Sequence, residues 1–390
     1  MASQAVGQQF DPWTVALKIH ELAEVGSSEF KSAELLKQVL KSGGFSVVDG
    51  YQGIPTSFWA EKTIGKGGPT IAFLAEYDAL LGIGHACGHN LIASAAVFSA
   101  IEASKKIRDG RIVVIGTPDE EGTGQYSGSK IIIANKGGFK GIDLVLGSHP
   151  SAEWSVGKNS LAVQDVEVVF HGTAAHASAS PEKGKSALDA AVLTFTAVDM
   201  MRKHLKRDAN PVIHGVLREG GQASNVTPDR AVLVYGIRSS DLGYHAELLE
   251  KFRKIVEGCS MATGTTYDLK LIGPLFTTGR VNRPLANNIR QRLVDRGVDL
   301  PTVEESERTL AKGSTDFANV SQVAPAQELS FQIAPKGTPW HSKLSLEAAV
   351  SDEAKKMLAV VIEVLSDTAE EFASNESLRK SIAEDFSRKE

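Results

Sequence analysis

Ala75-Glu-Tyr-Asp-Ala-Leu-Leu-Gly-Ile-Gly-His-Ala-Cys-Gly-His-Asn90 sets two histidines, a cysteine and two carboxylates between an apolar run, Thr70 to Leu74, and an amphipathic segment, Leu91 to Lys106. A chain that ends a strand here and begins a helix presents these side chains at the strand's carboxyl edge, where open α/β sheets hold ligands. Cys87 and His89, two residues apart, can bind one metal together, because borderline-soft divalent ions accept sulfur and nitrogen. Taken alone, a C-x-H pair is more often a buried thiol beside a hydrogen-bonded histidine. Its company in the chain has to decide.

Two more short apolar runs, Arg111 to Gly116 and Asp143 to Ser148, lie outward of this one, with helical or loop sequence between them. Trp13 to Leu22 and Ser32 to Ser42 read as helices. Continuous apolar strands separated by helices imply a parallel sheet covered on both faces. Each run is followed directly by polar chemistry: Glu76 to His89, Asp119 to Glu121, and His149.

Between Leu161 and Ile272 the pattern changes. Val163 to Phe170 alternates as a strand, Lys185 to Lys206 reads as a helix, Val212 to Leu217 and Ala231 to Arg238 as strands, Tyr244 to Thr263 as a helix and Tyr267 to Ile272 as a last strand. The order β-α-β-β-α-β is the ferredoxin-like unit. Asn287 to Arg296, Glu328 to Ile333 and Ser345 to Phe372 then return to α/β style. The expected fold is α/β: a discontinuous catalytic domain on a mixed or parallel sheet, residues 1–160 and 273–390, with a ferredoxin-like domain inserted at 161–272. The charged tail after about Asn375 is expected to fray.

The 390 residues exceed the size at which one core usually divides, which favours two domains. A formal charge of −5 gives no electrostatic reason to expect nucleic acid or an acidic membrane. The one basic cluster, Arg202 to Arg207, reads as a solvated helix end. No run approaches the roughly 18 apolar residues of a membrane span. Met1 to Pro12 lacks a basic n-region and an apolar h-region, so secretion is not signalled. The two cysteines, Cys87 and Cys259, form no disulfide framework, and a reducing, cytoplasmic setting is the simplest expectation.

Thr117-Pro-Asp-Glu-Glu-Gly122 places Glu120 and Glu121 in a turn after a strand. Adjacent acids are usually a solvated loop. At a strand's carboxyl end they can divide labour, one holding metal while its neighbour moves protons, as hydrolysis by a metal-acidified water requires. His149 in Gly147-Ser-His-Pro150 and His341 in Pro339-Trp-His-Ser342 are each weak alone. With Cys87, His89 and Glu121 they make five candidate ligands, enough for two ions sharing a water.

AEYDALLGIGHACGHNLIA, the GTPDEEG turn, the SHP, HGTAAHAS, GGQASNVTP, VYGIRS and KGSTDFANV together resemble the dinuclear metallohydrolases of peptidase family M20, in the amidohydrolase branch that includes β-alanyl-lysine-type dipeptidases. The resemblance runs from the helix near Trp13 to Phe386. It implies that Cys87, His89, Glu121, His149 and His341 ligate two divalent ions; sulfur, nitrogen and oxygen donors suit zinc first, and the carboxylates tolerate manganese second. It makes Glu120 the general base and Asp78 an outer carboxylate that orients a ligand imidazole. His176 falls on the histidine that stabilises the tetrahedral oxyanion, typically in the neighbouring subunit, and Asn225 and Arg238 fall on positions that grip the substrate's carboxylate. His85 receives at most an outer role, His171 a structural one, and Ser314-Thr-Asp316 would brace the site near His341. The inserted domain would serve as lid and homodimer interface, and the substrate would be a small amide or dipeptide with a free carboxylate.

Some positions depart from the family pattern. Leu81 replaces a usual proline, and Asp119 replaces a usual alanine; Asp119 would perturb the base or face a cationic substrate group. Pro181 to Ser186 and Ala334 to Trp340 also differ. The altered loops keep open a biosynthetic variant that forms or trims an amide, and a binding protein on the same fold is the other alternative, which the intact Glu120 opposes.

Overall fold

The computed structural model describes residues 10–309, 311 and 313–388; most of the polar N-terminal stretch, and Lys312 of the KGSTDFANV motif, lie outside the described residues. The chain divides into two compact units, Met1–Asn159 with Gly279–Thr309 and Thr315–Glu390, and Ser160–Thr278 with Leu310–Ser314. The sequence set the insert at 161–272; the second unit reaches six residues further because its last strand runs on past Ile272.

The larger unit is built on strands β1 (Ser46–Asp49), β2 (Phe58–Ile64), β3 (Thr70–Ala75), β4 (Gly110–Gly116), β5 (Leu144–Ser151) and β6 (Ser155–Val156). The inserted unit supplies β7 (Ala162–His171), β8 (Val212–Glu219), β9 (Arg230–Ser239) and β10 (Thr266–Phe276), and β11 (Ala326–Gln332) returns to the first sheet. That sheet has the order β1-β2-β4-β3-β5-β11-β6. Its four central strands, β4-β3-β5-β11, are parallel, and antiparallel β2 and β6 flank them. The flanking β1, β2 and β6 escaped the sequence reading, because Phe58–Ile64 is interrupted by Glu61 and Lys62 and is buried only in part.

Period-two alternation sorts the central strands between two cores. Ile71, Phe73, Ile112, Val114, Leu144 and Leu146 join one cluster with Leu91, Val97 and Ala100 of the helix His89–Lys106 and with Leu358, Val361 and Leu365 of the helix Asp352–Ser374. Ala72, Leu74, Val113, Ile115 and Val145 face the other way, onto Ile133, Phe317 and Val320. Both faces of the sheet are covered, which is why these strands carry unbroken apolar runs.

The tail after Asn375 forms the helix Glu376–Ser387, capped by the Asn375 side chain. Ile382 is buried, and Asn282 Nδ2 donates to its carbonyl at 2.9 Å. Ile382 and Leu378 both pack against the core of the larger unit, which anchors the segment.

In the inserted unit the antiparallel sheet has the order β10-β7-β9-β8, the ferredoxin-like arrangement, with helices Ala187–Arg202 and Leu242–Thr263 sharing its core.

Candidate metal centre

Four neighbouring parallel strands aim their carboxyl ends at one place. β3 delivers Glu76 and Asp78, β4 delivers Glu120 and Glu121, β5 carries His149, and the segment after β11 carries His341. Cys87 and His89 sit at the start of the helix His89–Lys106, whose N-cap Gly88 adopts a left-handed φ of 82°. A Cβ there would stand 2.4 Å from Cγ of Pro150, so only glycine lets this turn approach β5. His341, with a φ of 56°, is held just before Ser342, which caps the next helix. Asp119 has the same φ of 56°. Left-handed backbone at non-glycine residues costs about 1–3 kcal/mol and collects at functional sites.

Cys87 is the shared corner of two ligand groups. Its Sγ lies 3.4 Å from His149 Nε2 and 3.4 Å from His341 Nε2. His341 Nε2 is also 3.5 Å from Glu121 Oε1. Cys87, His89 and His149 form one group, and Cys87, Glu121 and His341 a second, each with ligand atoms within 4.8 Å of one another. All five ligand candidates therefore converge.

The imidazoles are oriented for this. His89 Nδ1 is 3.0 Å from Asp78 Oδ1, and His149 Nδ1 is 2.7 Å from the carbonyl of Pro150. Both partners accept only, so each Nδ1 carries a proton, which leaves Nε2 as the ring atom each histidine can turn to a metal. Asp78 Oδ2 also accepts the backbone N–H of Glu121 at 3.0 Å, tying the two strand ends together.

Glu76 and Asp316 bracket the buried ammonium of Lys130, while Asp78, Glu120 and Glu121 stand around His89 at 3.0, 3.9 and 3.8 Å. Buried charge in such excess demands compensation. His89 Nε2, Glu76 Oε2 and Glu121 Oε1 are buried without any hydrogen-bond partner. A mixed set of sulfur, imidazole and carboxylate donors, with orphaned atoms turned toward one another, fits divalent ions. Burial, then the charges of Glu76 and Asp316, push the Glu120 carboxyl well above the usual range. Burial lowers His149 to about 4, which keeps it neutral, and pushes the Cys87 thiol up, so a bound cation has to displace its proton.

Other expectations shift. Asp119 does not face a substrate: it is fully buried, accepting from Ser27 Oγ at 2.5 Å, Gly124 N at 3.0 Å and Tyr126 N at 3.1 Å. It clasps the turn to the segment before the helix Phe30–Ser42. Asp316 binds the ammonium and backbone N–H of Lys130. His85 is buried, with both ring nitrogens unpaired, 6.0 Å from the ring of His20. No role was expected of Glu76, Lys130 or Glu328 on β11, nor of Asp316 as a charge partner; burial and Glu76 push the Glu328 carboxyl up to about 8. Glu76 had a signal, its place at the end of an apolar run; a single lysine in the short helix Ser129–Asn135 had none.

In the inserted unit, His176 is exposed. Its Nδ1 accepts from Ala179 N at 3.2 Å, leaving Nε2–H free to donate. Ala177 N donates to the Asn225 carbonyl at 2.9 Å, so His176 and Asn225 lie on paired segments. Arg238 stands apart from that pairing on β9, opposite Val163 and Val212, with its Nε buried and unpartnered. His171 pairs with Asp268 at 2.9 Å, a contact between strands.

Comparison with known proteins gives these geometries a context. Residues 163–258 match the family model described as a peptidase dimerisation domain. The Xaa-Arg dipeptidase of Mus musculus is 32% identical, over 86% of this chain and 78% of its own length. One of the subunits of the p-aminobenzoyl-glutamate hydrolase of Escherichia coli (strain K12) is also 32% identical, over 76% of this chain and 64% of its own length. A Bacillus subtilis crystal structure, described as a dinuclear metal-binding peptidase from the M20 family, shares the fold. Its TM-score is 0.71 at 19% identity, covering 93% of this chain and 98% of the other.

Proposed function

The chain belongs to peptidase family M20, and from that premise we propose that it hydrolyses the amide bond of a small N-acyl amino acid or dipeptide carrying a free carboxylate. The observation that carries this reading is Cys87 standing as the common corner of two ligand groups, with the Glu120 carboxylate beside them.

Cys87, His89 and His149 would hold one divalent ion, and Cys87, Glu121 and His341 the other, zinc before manganese because thiolate and imidazole dominate the first set. Bound there, the ions acidify water to a pKa of about 7 and polarise a carbonyl. Glu120 Oε2, 3.9 Å from His89 Nε2, takes the water's proton and passes it to the leaving nitrogen. His176 would stabilise the oxyanion through its free Nε2–H, and the fork of Arg238 with Asn225 would fix the substrate's carboxylate. Asp78 holds His89 in register. We take the protein to be a homodimer through the inserted unit, on the strength of its match to the dimerisation-domain model. A metal-binding thiolate and a second free cysteine, Cys259, suit the reducing cytoplasm.

The test is a screen of Xaa-Arg, β-alanyl and other N-acyl amino acids together with p-aminobenzoyl-glutamate, with Glu120→Gln as control. Metal-dependent release of free amine by the unaltered chain, lost in the variant, is the expected result. Release that is insensitive to the variant removes this mechanism.

A further inference from the structure

Glu76 uses its two carboxylate oxygens differently. Oε1 lies 2.9 Å from Lys130 Nζ. Lys130 is fully buried and is bracketed on its other side by Asp316, whose Oδ2 also accepts the Lys130 backbone N–H at 3.2 Å. This chain of contacts joins the end of β3, the start of the helix Ser129–Asn135 and the N-cap of the helix Phe317–Val323, so the Glu76 side chain is clamped. Oε2 receives nothing: it is buried, has no hydrogen-bond partner, and lies 3.5 Å from His89 Nε2, itself buried and unpartnered. Glu76, His89 and Glu120 bring ligand atoms within 4.8 Å of one another, a third group that shares His89 with the Cys87–His89–His149 set.

An anionic oxygen without a partner in a dry interior is expensive, and the cheapest remedy is a cation. The rigid anchor on Oε1 prevents Glu76 from turning away to find water. The spacing of 3.5 Å from a nitrogen lone pair is what two donors on one small ion require, since bonds of about 2.0–2.2 Å at tetrahedral angles separate the donors by roughly that distance.

We infer that Glu76 is a further metal ligand: its Oε2 joins His89 Nε2 on the same ion, and Lys130 with Asp316 are the positioning residues that aim it. The inference rests on the metallohydrolase reading above and adds a donor to it. Glu76 thereby supplies an oxygen to an otherwise sulfur- and nitrogen-rich position, which broadens that position toward harder ions such as manganese.

The experiment loads the metal-stripped full-length protein with cobalt(II) and zinc(II), reading stoichiometry and affinity by chelator competition and the ligand set by the visible cobalt absorption. The unaltered chain should take up two ions. Glu76→Gln, which can still accept from Lys130, should keep one ion unchanged, weaken the other by about 100-fold or more, and shift the cobalt band; loss of an outer-sphere partner would cost only about 10–100-fold and leave the donor set intact. Should Glu76→Gln not fold, Glu76→Asp withdraws the oxygen by one methylene, keeps the charge, and should shift the band likewise. An unchanged cobalt band in a folded variant overturns the ligand role while leaving the paired-ion reading in place. Fewer than two ions on the unaltered chain overturns both.

Discussion

His89 Nδ1 lies 3.0 Å from Asp78 Oδ1, with both side chains fully excluded from solvent, while the second Asp78 oxygen holds the Glu121 backbone N–H at 3.0 Å. One carboxylate thus fixes an imidazole and the backbone of a carboxylate ligand at once. Replacing Asp78 by Asn leaves a donor facing one of these N–H groups. The expected outcome is a fall in metal affinity of about 10–100-fold with a matching loss of turnover at limiting metal, measured by chelator competition.

Asp119 serves the turn and not the substrate. Asp119→Asn removes the charge that holds Ser27 Oγ and the Tyr126 N–H, contacts of 2.5 and 3.1 Å. Hydrogen bonds to buried charged groups contribute about 1.5–3 kcal/mol each, so unfolding free energy should fall by about 2–4 kcal/mol in denaturant titrations. The ratio of turnover on cationic to neutral substrates should stay constant; a selective loss on cationic ones would restore the substrate-facing role.

Glu29 gives the fold a pH dependence of its own. Burial, then the Asp78 charge, raise its carboxyl from 4.5 to about 7 while it accepts the Ser27 and Asp119 N–H groups. A raised folded-state value means the protonated form is favoured by the fold, so its contribution is whole below about pH 4.5 and is lost as pH climbs through about 7. The total is roughly 3 kcal/mol. Glu29→Gln mimics the protonated state. Its melting temperature should exceed the unaltered chain's at pH 8, and the gap should close toward pH 4.5.

Gly88→Ala should be severe. The left-handed backbone alone costs about 1–3 kcal/mol for a non-glycine residue. The added Cβ also meets Pro150 at 2.4 Å, which pushes Cys87 and His89 away from His149. Lower thermal stability together with loss of bound metal is the expected pair of readouts. Loss of stability with full metal content would show that the turn does not position the ligands.

Much of this was legible in the chain because the decisive signals are local. Strands β3, β4 and β5 are covered on both faces and therefore show as unbroken apolar runs, and each is followed directly by titratable side chains. The inserted unit announced itself through the alternation of Val163 to Phe170 and two long helices. What stayed hidden depends on tertiary placement. Lys130 looks like any helical lysine until Glu76 and Asp316 close around it, and the burial of Asp119 is decided by Ser27, 92 residues away. The strands Ser46–Asp49 and Phe58–Ile64 are too exposed and too charged to show as apolar runs.

The most direct test of the paired-ion centre is metal content of the freshly purified chain beside Cys87→Ala, by elemental analysis before and after dialysis against zinc or manganese. The shared thiolate requires two ions per chain in the unaltered protein and fewer than one in the variant, with Glu120→Gln retaining both. One ion or none in the unaltered chain, not restored by either metal, or two ions surviving the loss of Cys87, would contradict it.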